Sequence, residues 1–371
     1  MEPRKQLLAA MRNRPHDRVP LVLEGFLHRS REEVEGIVEA GRRQIARRVF
    51  DRMHYWVPVD TAGNRYLMTP RQFLREVSRV ERDGQVRVTT EIDTPKGKLT
   101  AVTGRNATTH TVWTLKYPCE SLADIEKLRS VPWELPAGLT APELSDLGED
   151  FDRRGIVRAG VSSPFVCVAG MMPYEYFLEL CATHFDLLRD LTAICTERVL
   201  ATLDVALGGG KVEYVWMGGS EWLTPPMGSP RLYRELVHEF ERPIIGRIHQ
   251  AGAVAHIHCH GNVRGTLELV IERGGDYLEP MEPPPDGDIT MAEAKRVAAG
   301  RITLGGNVEA RVLENGSASD AEAATRAAFE GGKERRVLRT SAGPIGPVTP
   351  RMLANYHRMI DVWEELSPIG G

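Results

Sequence analysis

No stretch of the 371 residues approaches the roughly 20 consecutive apolar residues that a membrane helix needs. There is no block of basic charge either. The 47 Lys and Arg face 51 Asp and Glu, a net charge of −4, which argues against nucleic acid or an anionic membrane as the main partner. The five cysteines (Cys119, Cys167, Cys181, Cys195 and Cys259) form no CxxC pair. Their odd count and scatter point to reduced thiols rather than a disulfide framework. The opening Met1-Glu2-Pro3-Arg4-Lys5 leads into a short amphipathic stretch, not the apolar core of a secretory leader. No GxGxxG opens a helix after a strand, and no GxxxxGK[ST] occurs. Together these absences predict a cytoplasmic protein with neither nucleic-acid nor membrane partners.

What remains is ordinary globular composition, 42% hydrophobic and 26% charged. No linker or low-complexity stretch divides the chain, so residues 1–371 read as one domain. Short apolar strands alternate with longer helices. The strands include Ile156–Val161, Val212–Met217, Ala253–His260, Tyr277–Glu282, Ile302–Asn307 and Arg336–Ser341. The helices include Arg31–Asp51, Tyr174–Thr183, Pro230–Ala251 and Pro350–Glu365. With the apolar Arg18–Gly25 as a first strand, there are about seven or eight strand–helix units. This predicts an α/β fold, a (β/α)8 TIM-type barrel. Near the N-terminus, Val86–Thr90 and Lys98–Val102 flank Thr94-Pro95-Lys96-Gly97. This hairpin pattern predicts a small antiparallel β insertion over about residues 80–118.

The densest chemistry lies in Ala255-His256-Ile257-His258-Cys259-His260-Gly261-Asn262. Strand alternation puts His256, His258 and His260 on one face and Cys259 on the other. Imidazoles at i and i+2 converge on one cation, and zinc and its neighbours take such ligands. Satisfied core histidines and a metal-free catalytic pair fit the same spacing. In a TIM-type barrel the active site sits at the C-terminal strand ends. Those ends carry Glu24, Ser163, Glu221, His258, His260, Glu282, Asn307, Glu309 and Ser341. Ser229 before Pro230 and Thr349 before Pro350 read as helix caps. Caps do not require His258, His260, Glu221 and Glu282 together. Two histidines and one carboxylate make a catalytic zinc set with an open position. His258, His260 and one carboxylate, Glu221 ahead of Glu282, are the expected ligands, with Glu221 and Glu282 as the catalytic carboxylates. Trp222, Tyr174, Ser163 and Asn307 are expected to contact substrate. Asp288 reads equally as a cap of the following helix or as a site residue.

The order and spacing of several pieces resemble the uroporphyrinogen decarboxylase-like superfamily, closest in type to its zinc-dependent corrinoid methyltransferases. Asp17-Arg18-Val19-Pro20 is similar to its opening strand, and Thr94-Pro95-Lys96-Gly97 to its early hairpin. Ser229-Pro230 opens the helix before the histidine strand, and Gly305-Gly306-Asn307 resembles a later strand end. His258-Cys259-His260-Gly261-Asn262 sits where the methyltransferases carry His-x-Cys-Gly-Asn. The resemblance implies a (β/α)8 barrel binding one Zn2+ through the motif and a distant Cys. It places His258 at the family His, His260 at the family Cys, and the distant Cys near Gly343. This chain has no Cys there. That departure argues against a thiol-methylating type and for oxygen ligands such as a methoxyl ether.

The resemblance thus implies a methyltransferase that moves a methyl group from a small methylated or methoxylated substrate to a corrinoid on a separate partner protein, as in O-demethylation. The alternatives are a metal-independent uroporphyrinogen decarboxylase-like lyase and a non-catalytic binding barrel. True decarboxylases of the group carry an Arg-rich segment after the opening strand. Here Glu24-Gly25-Phe26-Leu27-His28-Arg29 offers only Arg29 as a carboxylate clamp. A homodimer is compatible with the apolar ends of such barrels.

Overall fold

A computed structural model describes residues 1–106, 111–144 and 147–370. Eight parallel strands form one sheet: β1 (Leu21–Val22), β2 (Tyr55–Val59), β7 (Gly155–Ser162), β8 (Tyr214–Gly218), β9 (Val254–His258), β10 (Tyr277–Met281), β11 (Thr303–Val308) and β12 (Arg336–Thr340). Their order is β1-β12-β11-β10-β9-β8-β7-β2. A second, antiparallel sheet holds β3 (Leu74–Arg82), β4 (Gln85–Ile92), β5 (Leu99–Asn106) and β6 (Trp113–Lys116) in sequence order. The hairpin expected around residues 94–97 therefore forms, between β4 and β5. The small sheet starts earlier than expected, because β3 (LREVSRVER) is exposed along its length and shows no apolar alternation.

The large sheet curls into a TIM-like arrangement. Its outward side chains, among them Val157, Val215, Ala255, Ile257, Leu278 and Leu304, join one apolar shell with the surrounding helices. Inward side chains alternate with them, as a period of two requires. Val22, Ile156, Tyr214, Val254, Tyr277 and Val337 come from six strands. They meet Leu7, Leu8 and Met11 of the helix Pro3–Met11, which plugs the N-terminal end. Among the described residues β1 and β2 do not hydrogen-bond to each other, so the ladder has a seam there. The opposite end, where the strands finish, stays open as a mouth.

β2 was not visible in the sequence. Its YWVPV mixes half-buried and exposed positions and contains Pro58, so it lacks the apolar signature of its neighbours. Two long helices expected from the sequence are divided. Arg31–Glu35 ends at Gly36 and Ala40–Val49 follows. Pro230–Tyr233 passes through a π-helical turn at Arg234–His238 into Glu239–Gln250, which contains Pro243. The proline cannot donate to the preceding turn and crowds it, and a wider turn just upstream accommodates that. The caps form as expected: Ser229 accepts from the Leu232 amide and Thr349 from the Met352 amide. Asp288 does not cap the next helix. It accepts from the Arg264 amide at 3.0 Å, and Thr290 is the cap, in a capping box with Glu293. No helix among the described residues is long and apolar enough to cross a membrane.

Candidate functional site

Register places the chemistry in the mouth. Trp216 on β8 lies opposite His256 on β9, and His258 lies opposite Glu279 on β10. Glu279 is 1% exposed, so its charge needs partners. Arg339 Nη1 of β12 stands 2.6 Å from Glu279 Oε2, and Arg339 Nη2 donates to Glu24 Oε1 at 2.8 Å. The other Glu279 oxygen, Oε1, faces both histidines. It lies 2.7 Å from His256 Nε2 and 2.8 Å from His258 Nδ1, the latter a hydrogen bond. Burial works against the Glu279 charge, but Arg339, His258 and His256 outweigh it and hold the carboxyl well below its usual range.

The proton positions follow. Burial pushes His256 down to about 4 despite the pull of Glu279, so the ring is neutral near pH 7. With a carboxylate oxygen beside Nε2, that nitrogen keeps the proton. Nδ1 then accepts from the Tyr214 hydroxyl at 2.5 Å. His258 donates through Nδ1 and, when neutral, presents a lone pair at Nε2.

His256, His258 and Glu279 offer three donor atoms within 4.8 Å of one another. These residues fit a divalent cation of the zinc type, an N,N,O set with a fourth position open. A further observation agrees. His256 Nε2 is buried and makes no well-aligned hydrogen bond, and a buried polar atom left this way calls for a partner.

The expected set of His258, His260 and Glu221 does not gather in this way; only His258 belongs to the group. His260 packs edge-on against His258 at 4.6 Å between ring centres. Its Nδ1 hydrogen-bonds to Glu282 Oε1 at 2.8 Å, and Gly261 N donates to Glu282 Oε2 at 2.5 Å. Burial lowers the pKa of His260, but Glu282, with Glu279 and Glu221 beyond it, reverses the sign and raises it. Glu221 accepts from the Gly219 amide at 3.0 Å and sits near enough to influence His260 and Cys259 by its charge.

A cavity of about 300 Å3 lies over this group, lined by Trp56, Arg158, Trp216, His258, Glu279 and Gly343 among others. Gly343, near which the resemblance implies a cysteine, lines the same cavity as His258. A neighbouring cleft of about 650 Å3 shares Trp56, Arg158 and Trp216. The expected substrate contacts lie elsewhere. The Tyr174 hydroxyl donates to the carbonyls of Trp222 and Met227, and Trp222 carries Arg65 over its ring. Ser163 is fully buried at the end of β7. Asn307 lines a separate cavity of about 400 Å3 with Glu309.

Sequence reasoning passed over Glu279, Arg158 and Arg339. The signal was present: each is a charge at an inward position of an otherwise apolar strand.

The description "Uroporphyrinogen decarboxylase (URO-D)" matches residues 109–366, more than half of the sequence. The chain belongs to this family. Among solved structures, a methyltransferase from Methanosarcina mazei is similar over 98% of this chain and 99% of its own, with a TM-score of 0.61 and 16% identity. At that identity the likeness shows the fold. A B12-independent methionine synthase from Shewanella sp. W3-18-1 in complex with selenomethionine covers 79% of this chain and 76% of its own, with a TM-score of 0.42 and 8% identity. No curated protein matches the chain. The URO-D family thus provides the frame in which the histidine mouth is read.

Proposed function

We propose that this URO-D family member is a zinc-dependent methyltransferase, taking a methyl group from a small methylated or methoxylated substrate and passing it to a corrinoid held by a partner protein. The observation that carries this reading is the buried His256–His258–Glu279 group at the end of a TIM-like sheet. The fold shared with the Methanosarcina mazei methyltransferase supports it.

His256, His258 and Glu279 would hold the metal, and as ligands the two imidazoles would have to be neutral. When bound, zinc supplies Lewis acidity to a substrate oxygen. Arg339 keeps Glu279 ionised, and Tyr214 fixes the orientation of the His256 ring. In the transfer the substrate's O–CH3 bond breaks with its electron pair staying on oxygen. The methyl would pass to a reduced corrinoid on the partner protein, whose cobalt would supply the electron pair for the new bond. His260, whose ring Glu282 orients, would give a proton to the departing oxygen. Glu221 adds negative charge that favours the protonated form of His260.

Elemental mass spectrometry of the purified protein tests the metal, and turnover with an added reduced corrinoid protein tests the transfer. About one zinc per chain, lost in His258→Ala, is expected. Product should appear only with the corrinoid protein present. A metal-free wild type that turns over substrate alone overturns the reading in favour of a lyase.

A further inference from the structure

Arg158 stands apart from the other charges of the mouth. It lies on β7, and its guanidinium carbon sits over the rings of Trp56 at 5.1 Å and Trp216 at 5.3 Å. Trp216 in turn packs against His258 at 5.1 Å between ring centres. Arg158 lines both the 300 Å3 cavity over the histidines and the 650 Å3 cleft beside it. Arg339, the other arginine of the cavity, is matched by Glu279 and Glu24. Arg158 has no ion pair or hydrogen bond to any described residue; its contacts are the two indoles.

Arg158 is half-buried at an inward position, and no acid among the described residues pairs with it. The two rings take up its π-facing contacts and hold it in place. Its N–H donors are left for a guest, and the fork of a guanidinium matches a carboxylate in two parallel hydrogen bonds. Glu24, Glu279 and Asp60 also border these cavities. Their charges disfavour a multiply charged anion more than a single carboxylate. The indoles and the neighbouring Pro58 and Leu27 offer apolar walls to the body of such a guest.

We infer that Arg158 is the anion-binding residue of the site, and that the substrate is a small monocarboxylic acid whose carboxylate docks on Arg158 while its methylated end reaches His258. The inference rests on reading this mouth as the substrate site. It deepens the proposed function by naming the substrate class. Because Trp216 touches both Arg158 and His258, the acid group and the reacting group are held one indole apart. That separation suits a ring or short chain between them.

Calorimetric titration of the purified full chain with 4-methoxybenzoate and 4-methoxybenzamide tests this. The two probes differ in charge and little in shape. The acid is expected to bind about tenfold or more tightly than the amide. In Arg158→Gln that preference should fall to about one, and Arg158→Lys should keep part of it. Melting curves establish that the variants are folded. His258→Ala should lose the metal yet retain the preference for the acid, so failure of the metal reading and failure of the anion site appear in different variants. Equal binding of acid and amide, no binding of the acid at millimolar concentration, or a preference that survives in Arg158→Gln overturns the inference.

Discussion

Glu309 shows how far a single residue of this mouth is displaced from its solution behaviour. It follows β11 and accepts a hydrogen bond from the Asn307 amide nitrogen. Burial first, and then the charge of Glu282, push its carboxyl up to about 7. In the unfolded chain the same group ionises near 4.5. Between these values the unfolded state has lost the proton and the folded state keeps it, so stability falls as pH rises through that window. Glu309→Gln should remove the fall. Thermal melts at pH 5 and pH 8 would then diverge less than in the wild type, by on the order of 2 kcal/mol after allowance for solvent screening. His256 behaves in the opposite sense. Burial keeps it neutral, so one ring nitrogen stays unprotonated at pH values where an exposed histidine is partly protonated.

At the scale of the element, β9 is held from both sides. Its inner face carries His256 and His258, and its outer face sends Ile257 into the apolar shell. Behind the strand end, Cys259 lies near a closed ion pair, Arg273 Nη2 to Glu241 Oε2 at 2.8 Å, with exposures of 0% and 1%. Arg273 also sits over the Tyr233 ring at 5.3 Å. Arg273→Ala should cost about 3 kcal/mol in a denaturant titration by leaving Glu241 alone, and the double change with Glu241→Leu should recover much of it. The same elements show what the sequence could reveal. Strands buried on both faces, such as VAHIH and TLGGNV, stand out as apolar runs, and the helices between them stand out by their caps. The exposed β3 and the proline-bearing β2 do not, because their positions are set by pairing and not by burial. In the site, His258 was legible from its neighbours two residues away, whereas the partner of His258 was not. Glu279 meets it across a strand pair, and a contact 21 residues distant leaves no local pattern.

At the scale of the whole molecule, the two ends of the sheet divide the work. The helix Pro3–Met11 seals one end with Leu7, Leu8 and Met11, and the Ala10 carbonyl accepts from the Thr303 hydroxyl at 2.8 Å. The other end keeps its ionisable groups around open cavities. Leu7→Ala should therefore destabilise the fold by about 2–4 kcal/mol, read by chemical denaturation, while leaving metal content unchanged.

One consequence lies in the arithmetic of β9. Even-numbered residues of this strand face the inside of the curled sheet and odd-numbered ones face the shell, so its function is a matter of parity. A slip of one position would send Ile257 to the mouth and the imidazoles into hydrocarbon. No half-measure exists between those two arrangements. The His256–His258–Glu279 group is therefore either assembled in full or absent, and insertions and deletions in the turns flanking β9 will behave as switches rather than as graded perturbations.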